Sequence, residues 1–135
     1  MINLNVERLQ ASVDATRAAL GEGITSASIW DMETGLSLFG WNEVPEATAL
    51  FNLLTGEVED TLQGSGFPKL KDYYMMDLHD GKSVIVISHG HGASEGWILE
   101  TAKVNYGVLI GMAIPKAMEA AQAAFAEAQA RGEVF

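Results

Sequence analysis

Two histidines set two residues apart, His89 and His91, sit in the stretch His89-Gly-His-Gly-Ala-Ser-Glu-Gly96 and form the cluster most suggestive of metal chemistry. Two imidazoles at that spacing can reach one ion, but a zinc site needs three or four ligands in fixed geometry. The third histidine, His79, falls across a predicted hairpin, and Glu95 follows in the same stretch. A glycine-rich surface loop whose histidines bind nothing accounts for the same residues with fewer requirements. His89 and His91 therefore stand as the candidate metal or ligand positions, and no metal is assigned. The same glycines could let backbone amides converge on an anion. A P-loop, however, requires Lys-Ser/Thr opening a helix, and a dinucleotide fingerprint requires strand, turn and helix in sequence, whereas the residues after Gly96 read as a strand.

Nucleophilic chemistry has little to build on. Serines occur at 26, 28, 37, 65, 83, 88 and 94, but none lies in a Gly-x-Ser-x-Gly elbow. The chain has no cysteine, which removes disulfides, thiolate metal sites and cysteine nucleophiles together. The pairs Glu57 with Asp60 and Asp31 with Glu33 fall on an expected exposed helix face and in a turn, where solvation and turn chemistry explain them. These residues give no catalytic set, and the expectation is a protein that is not an enzyme and carries no cofactor.

The positioning framework is a single domain over residues 1–135. Eight Lys and Arg stand against 18 Asp and Glu, a net charge of −10, so a nucleic-acid backbone would be repelled. The acidic residues are spread over every segment, the pattern of a solvated surface. The longest apolar run, Val108 to Ile114, is far short of the ~20 residues of a membrane span. No basic region followed by an apolar run opens the chain, so a cytoplasmic protein without membrane insertion is expected.

Val6, Leu9, Val13 and Leu20 recur at helical spacing between Asn5 and Leu20, with Gly21 and Gly23 just beyond. Ile24 to Trp30 and Leu36 to Trp41 have strand composition, and the Asp31 to Gly35 linker has the residues of a hairpin turn. Pro45 suits a first helical turn, and Leu50, Phe51, Leu54, Val58 and Leu62 carry the helix to about Leu62. Tyr73 to Leu78 and Lys82 to Ser88 flank Asp80-Gly81, a strong two-residue hairpin signal. After the His89 to Gly96 loop, Trp97 to Val104 reads as a fifth strand. Trp30, Trp41 and Trp97 suit core or half-buried sheet positions, with Trp41 also a candidate partner anchor. The rest of the chain to Arg131 ends in an Ala-rich helix. It starts either at Asn105, as a cap, with a bend at Pro115, or at Pro115 itself.

The order helix, hairpin, helix, hairpin plus strand, helix resembles that of the roadblock/dynein light chain family over nearly the whole chain. The residues that carry the resemblance are the first hairpin with Asp31 and Gly35 at its turn, Asp80-Gly81, and Asn105-Tyr-Gly107-Val-Leu109, which is similar to the start of the family's last helix and favours the Asn105 boundary. The resemblance implies an α+β fold of the profilin/longin-like kind. It has a five-stranded antiparallel sheet, the second helix on one face and the two terminal helices on the other. It also implies a non-catalytic homodimeric scaffold, paired through third strands alongside second helices, and a partner such as a small Ras-like GTPase or a motor or polarity complex.

The candidate dimer or partner interface is Tyr73, Tyr74, Met75 and Met76 on the strand, with Leu50, Leu53, Leu54 and Val58 on the helix. The residues support it independently, because Tyr73 to Met76 place bulky side chains on both faces of one strand, where a one-sided sheet would alternate with polar residues. Helices on both faces within one chain are the other way to cover them. The rival function is a ligand- or metal-sensing domain of the profilin/PAS-like kind, with the His89 to Gly96 loop closing over a small molecule.

Overall fold

Asn5 starts the first helix, α1 (Val6–Leu20), by accepting a hydrogen bond from the Glu7 amide at 3.0 Å. Glu7 in the first turn and Arg17 in the last complement the helix dipole. Leu9, Val13 and Leu20 are buried as their spacing predicts, with Ser12 and Thr16 in the same stripe, while Val6 stays exposed. The computed structural model describes residues 5–130 of the chain.

The first hairpin joins β1 (Ile24–Asp31) to β2 (Ser37–Trp41). The Asp31 carboxylate accepts from the Thr34 hydroxyl at 2.8 Å and the Glu33 amide at 3.3 Å, and Gly35 takes a φ of +73°. Next comes α2 (Pro45–Ser65), which opens on Pro45 and stops at Gly66 in a left-handed conformation. The second hairpin, β3 (Tyr73–Asp77) with β4 (Lys82–Gly90), turns through Asp80 and Gly81 at φ +64° and +71°, the two positive values a tight hairpin demands.

The structure departs from the sequence reading at the His89 to Gly96 segment, which is not a loop. Strand β4 continues through Gly90, the chain reverses at His91 and Gly92, with φ of +52° and +78°, and β5 (Ala93–Glu100) begins at once. Gly90 and Gly92, read as loop residues, are thus glycines of a tight turn. Gly96 has another role: a Cβ there would lie 2.9 Å from Cζ3 of Trp30, so the glycine makes room for the indole. The fifth strand accordingly runs from Ala93 to Glu100 and not from Trp97 to Val104, and a 3-10 turn (Thr101–Lys103) follows it.

Asn105 caps the last helix by accepting from the Val108 amide at 3.2 Å, which settles its start in favour of Asn105 over Pro115. A short turn, α3 (Tyr106–Val108), passes into a π segment (Leu109–Ala113) and then α4 (Ile114–Ala130) without a break. The Ile114 amide reaches back five residues to the Leu109 carbonyl. Pro115 has no amide to donate and its ring crowds the carbonyl four residues earlier, and a widened turn just before it relieves both problems.

All strand pairs are antiparallel, in the order β2-β1-β5-β4-β3. On one face α1 and α4 pack Leu9, Val13, Ala117, Ala121 and Phe125 against Ala27, Ile29, Ile85, Ile87, Trp97 and Leu99. On the other face α2 covers a smaller cluster of Trp30, Val84 and Val86 through Phe51. This is the layering that the family resemblance implies, with β2 and β3 at the edges. Among the described residues no helix is long and apolar enough to cross a membrane.

Candidate interaction surface

Helix α2 turns its leucines away from its own sheet. Its buried residues are Thr48, Phe51 and Thr55, whereas Leu50 is 58% and Leu53 66% exposed, and Leu54, Val58 and Leu62 are half-buried. Polar contacts do much of the docking. Thr48 donates to Ser28 at 3.2 Å, and Ser28 donates to Glu43 at 2.7 Å. The Trp30 indole donates to Asn52 at 3.0 Å, and Asn52 in turn donates to the Met32 carbonyl at 3.1 Å. Thr55 spends its only hydroxyl proton on the Phe51 carbonyl at 2.7 Å, so Tyr74 is the donor in the 2.7 Å Tyr74–Thr55 bond. Burial pushes the Tyr74 phenol above its ordinary range, and the charge of Glu59 adds to it.

The half-buried Val58 and Leu62, with Glu57 and Thr61, line a shallow open depression along the same helix. The apolar spacing of α2 is therefore legible in the sequence, but its orientation is not. Leu50, read as part of the continuous apolar pattern, lies on the outside, while Thr48 and Thr55 take the inside.

Strand β3 pairs with β4 on one side only. The Leu78 amide donates to the Lys82 carbonyl at 2.8 Å and the Ser88 amide to the Asp72 carbonyl at 2.7 Å. With the register Tyr74↔Val86 and Met76↔Val84, these bonds direct the backbone groups of 74 and 76 toward β4. The amides and carbonyls of Tyr73, Met75 and Asp77 consequently point out of the open edge. The side chains divide in the same way. Tyr74 and Met76 pack beneath α2, while Tyr73 and Met75, beside Ile87 and Ile85 on the opposite face, remain 36% and 41% exposed. The helices of one chain thus cover one face of β3 and leave the other open. Leu50, Leu53, Tyr73 and Met75 are presented outward, and Leu54, Val58, Tyr74 and Met76 are half-buried.

The two candidate histidines serve the core. His89 and Glu95 are wholly buried between the central strands, with Nε2 of the imidazole 2.8 Å from Oε1 of Glu95. Glu95 also accepts from the Trp97 indole at 2.8 Å, and Gln122 of α4 donates to the His89 carbonyl at 2.6 Å. His91 stacks on Phe125, with ring centroids 5.1 Å apart. Among the described residues no three His, Asp or Glu side chains are grouped as an ion site. The loop that was to close over a ligand is a hairpin whose residues 93–97 are buried. Trp41, the candidate anchor, packs against the α1 side with the Arg17 guanidinium 4.0 Å above its ring.

No family model and no curated protein sequence matches the chain. Solved structures do. MglB of Myxococcus xanthus superposes over 95% of this chain and 95% of its own, with a TM-score of 0.78 and 11% identity. A structure described as MglB with tetrameric arrangement matches 94% of this chain and 96% of its own at a TM-score of 0.73 and 14% identity. A roadblock/LC7 domain from Streptomyces avermitilis covers 81% of this chain and 93% of its own at 0.59 and 15%. With the sheet order, the layering and the Asn105-capped last helix already established, these superpositions show that the chain has the roadblock/LC7 fold.

Proposed function

We propose that this chain is a non-catalytic protein-interaction module that works as a homodimer, paired through the open edge of β3 and the outward leucines of α2. The observation that carries the reading is the inverted amphipathicity of α2, whose threonines face the sheet while Leu50 and Leu53 face away. Beside it lies an edge strand with Tyr73 and Met75 uncovered on its other face. A hydrophobic edge left open is an aggregation template, and a second copy that supplies a strand and a helix removes it. The interface residues are Tyr73, Tyr74, Met75 and Met76 with Leu50, Leu53, Leu54 and Val58. The outward members supply the contact area, and Tyr74, through its Thr55 bond, and Met76 hold β3 against α2.

The likeness to MglB structures, one of them described by its tetrameric arrangement and another as a gliding protein, supports an assembling role. The resemblance in the sequence adds the partner class, a small Ras-like GTPase or a motor or polarity complex, bound in the cytoplasm by the dimer. Fold likeness at this identity is an analogy, and the surface of α2 and β3 is what gives it substance here.

The test is solution mass by light scattering at several micromolar concentrations, for the native chain and for Leu53→Glu with Met75→Lys. Both substituted side chains are exposed in the single chain, so folding should survive. A native dimer and a folded monomeric variant are expected. A native monomer throughout the range refutes the reading.

A further inference from the structure

We infer that residues 56–72 form a hinged strap, whose helical part winds and unwinds as a unit while the rest of the fold stays closed. Its hinge is Gly56, and its clasp is the hydrogen bond from Tyr74 to Thr55. The two halves of α2 are held very differently. The side-chain bonds that tie α2 to the sheet and the first hairpin turn all come from residues 48–55. Thr48 meets Ser28, Asn52 meets Trp30 and the Met32 carbonyl, and Thr55 meets Tyr74. The buried residues of the helix, Thr48, Phe51 and Thr55, lie in the same span. From 56 to 72 no residue is buried, and only Val58, Leu62, Leu70 and Asp72 are half-buried. The two ends of this stretch, Thr55 and the start of β3, are joined by the 2.7 Å bond between Thr55 and Tyr74. A segment pinned together at its base can open without pulling on the sheet.

The sequence of the helical part, residues 56–65, lacks what stabilises α1. Gly56 and Gly64 lie inside the helix without a positive φ, and a Cβ at either would meet nothing within 4 Å. Neither packing nor backbone geometry within the chain calls for a glycine there, and each weakens the helix relative to alanine. Glu57, Glu59 and Asp60 follow the first glycine, with Glu57 and Asp60 a like-charged pair three residues apart, and α2 contains no Lys or Arg to offset them. Among the described residues none of the three makes an ion pair. Helix α1, by contrast, has its Asn5 cap, Arg17 in the last turn and buried residues from Leu9 to Leu20. So short a helical segment persists through its tertiary contacts, and this one makes few. Glu57, Val58, Thr61 and Leu62, which line the depression on α2, all belong to the strap. The depression therefore exists only in the wound form, and whatever fills it selects that form. The hinge follows from the single chain, whereas its use as a gate on the interface rests on the homodimer reading.

Hydrogen exchange followed by mass spectrometry tests this on the full-length protein, in a series of sub-denaturing urea concentrations and at two protein concentrations. The amides of 58–65 should be protected at least ~10-fold less than those of 51–55. They should also respond little to urea, because opening the strap exposes little surface, while the α4 amides exchange through global unfolding and lose protection steeply. Equal protection and equal urea dependence along the whole of α2 overturn the hinge. Gly56→Ala should raise the protection of 58–65 about fivefold, and no rise overturns the placing of the hinge at Gly56. Tyr74→Phe frees the base of the strap and should lower the protection of 51–55 about threefold to tenfold; no change there overturns the clasp. Raising the protein concentration should protect 58–65 further, as a second copy seated on Val58 selects the wound form. In a protein that light scattering shows to be dimeric, protection indifferent to concentration overturns the gate and leaves the hinge. A native monomer overturns the homodimer, and the urea series then decides the hinge by itself.

Discussion

Replacing Glu95 by leucine tests whether the buried polar cluster beneath α4 is a structural unit. Its carboxyl group pairs with both the His89 Nε2 and the Trp97 Nε1 groups, each at 2.8 Å, and all of it is out of contact with solvent. Glu95→Leu leaves two buried donors without an acceptor, at ~1–3 kcal/mol each, while the added apolar surface returns ~1 kcal/mol. The net loss is roughly 1–5 kcal/mol, a sizeable share of the ~5–15 kcal/mol that holds a domain of this size together. Urea unfolding at a fixed protein concentration measures it from the midpoint and slope, and concentration must be fixed because a dimer's stability depends on it. His89→Leu in the same background removes one of the orphaned donors. The cost of Glu95→Leu should therefore fall by about 1–3 kcal/mol when His89 is already leucine. A loss under ~0.5 kcal/mol for Glu95→Leu alone, or additivity of the two changes, refutes the cluster as a coupled unit.

Gly96→Ala forces its new methyl group to within contact of the Trp30 ring at 2.9 Å, in a strand buried on both sides, and should cost ~1–3 kcal/mol by urea unfolding, whereas Gly81→Ser or Gly90→Ser should report strain from positive φ without a clash. Tyr74 keeps its proton more tightly folded than unfolded, so its contribution is complete below the ordinary tyrosine pKa near 10 and is lost as pH rises through the raised folded value. Tyr74→Phe should accordingly flatten the stability profile above about pH 10 and cost ~1 kcal/mol at neutral pH, measured by thermal unfolding across pH. Zinc or nickel should leave the melting temperature unchanged, because His89 is committed to Glu95 and His91 to Phe125. A rise of several degrees at millimolar metal would restore the histidine-site reading.

The parts of the fold that could be read from sequence are those fixed by local chemistry. Asp80-Gly81 announces its turn because few dipeptides tolerate two positive φ values in succession, and Asn105 announces the last helix because its side chain can satisfy an orphan amide. The β4–β5 turn has the same chemistry at His91 and Gly92, but the flanking Gly90 and Gly96 hid it. Glycine density looks the same whether it serves a mobile loop or a tight turn next to an indole that needs space. The role of Glu95 was equally hidden. Its partners, His89 and Trp97, are six and two residues away in sequence, and they share a face of the sheet only once β4 and β5 pair as Ile87↔Glu95 and Ser88↔Ser94.

Helix α2 shows where periodicity stops being informative. A 3.6-residue repeat reports that a helix has an apolar face, not which surface that face meets. In α1 and α4 the apolar stripe and the buried stripe coincide, and the two helices build one core with the sheet. In α2 only Phe51 is shared between them. The sheet face beneath it presents Ser28 and Gly96 beside Trp30, so Thr48, Asn52 and Thr55 suit it better than leucines would. The leucines are then left to meet something else. A helix tethered to its own sheet by three polar contacts, with its apolar face turned outward, is incomplete in one chain. The exposed Leu50 and Leu53 lie on the same side of the sheet as the Tyr74 and Met76 packing of an edge strand that also lacks a neighbour. One partner that supplies both a strand and a helix meets both needs at once, and a second copy of this chain carries the two in the required relation.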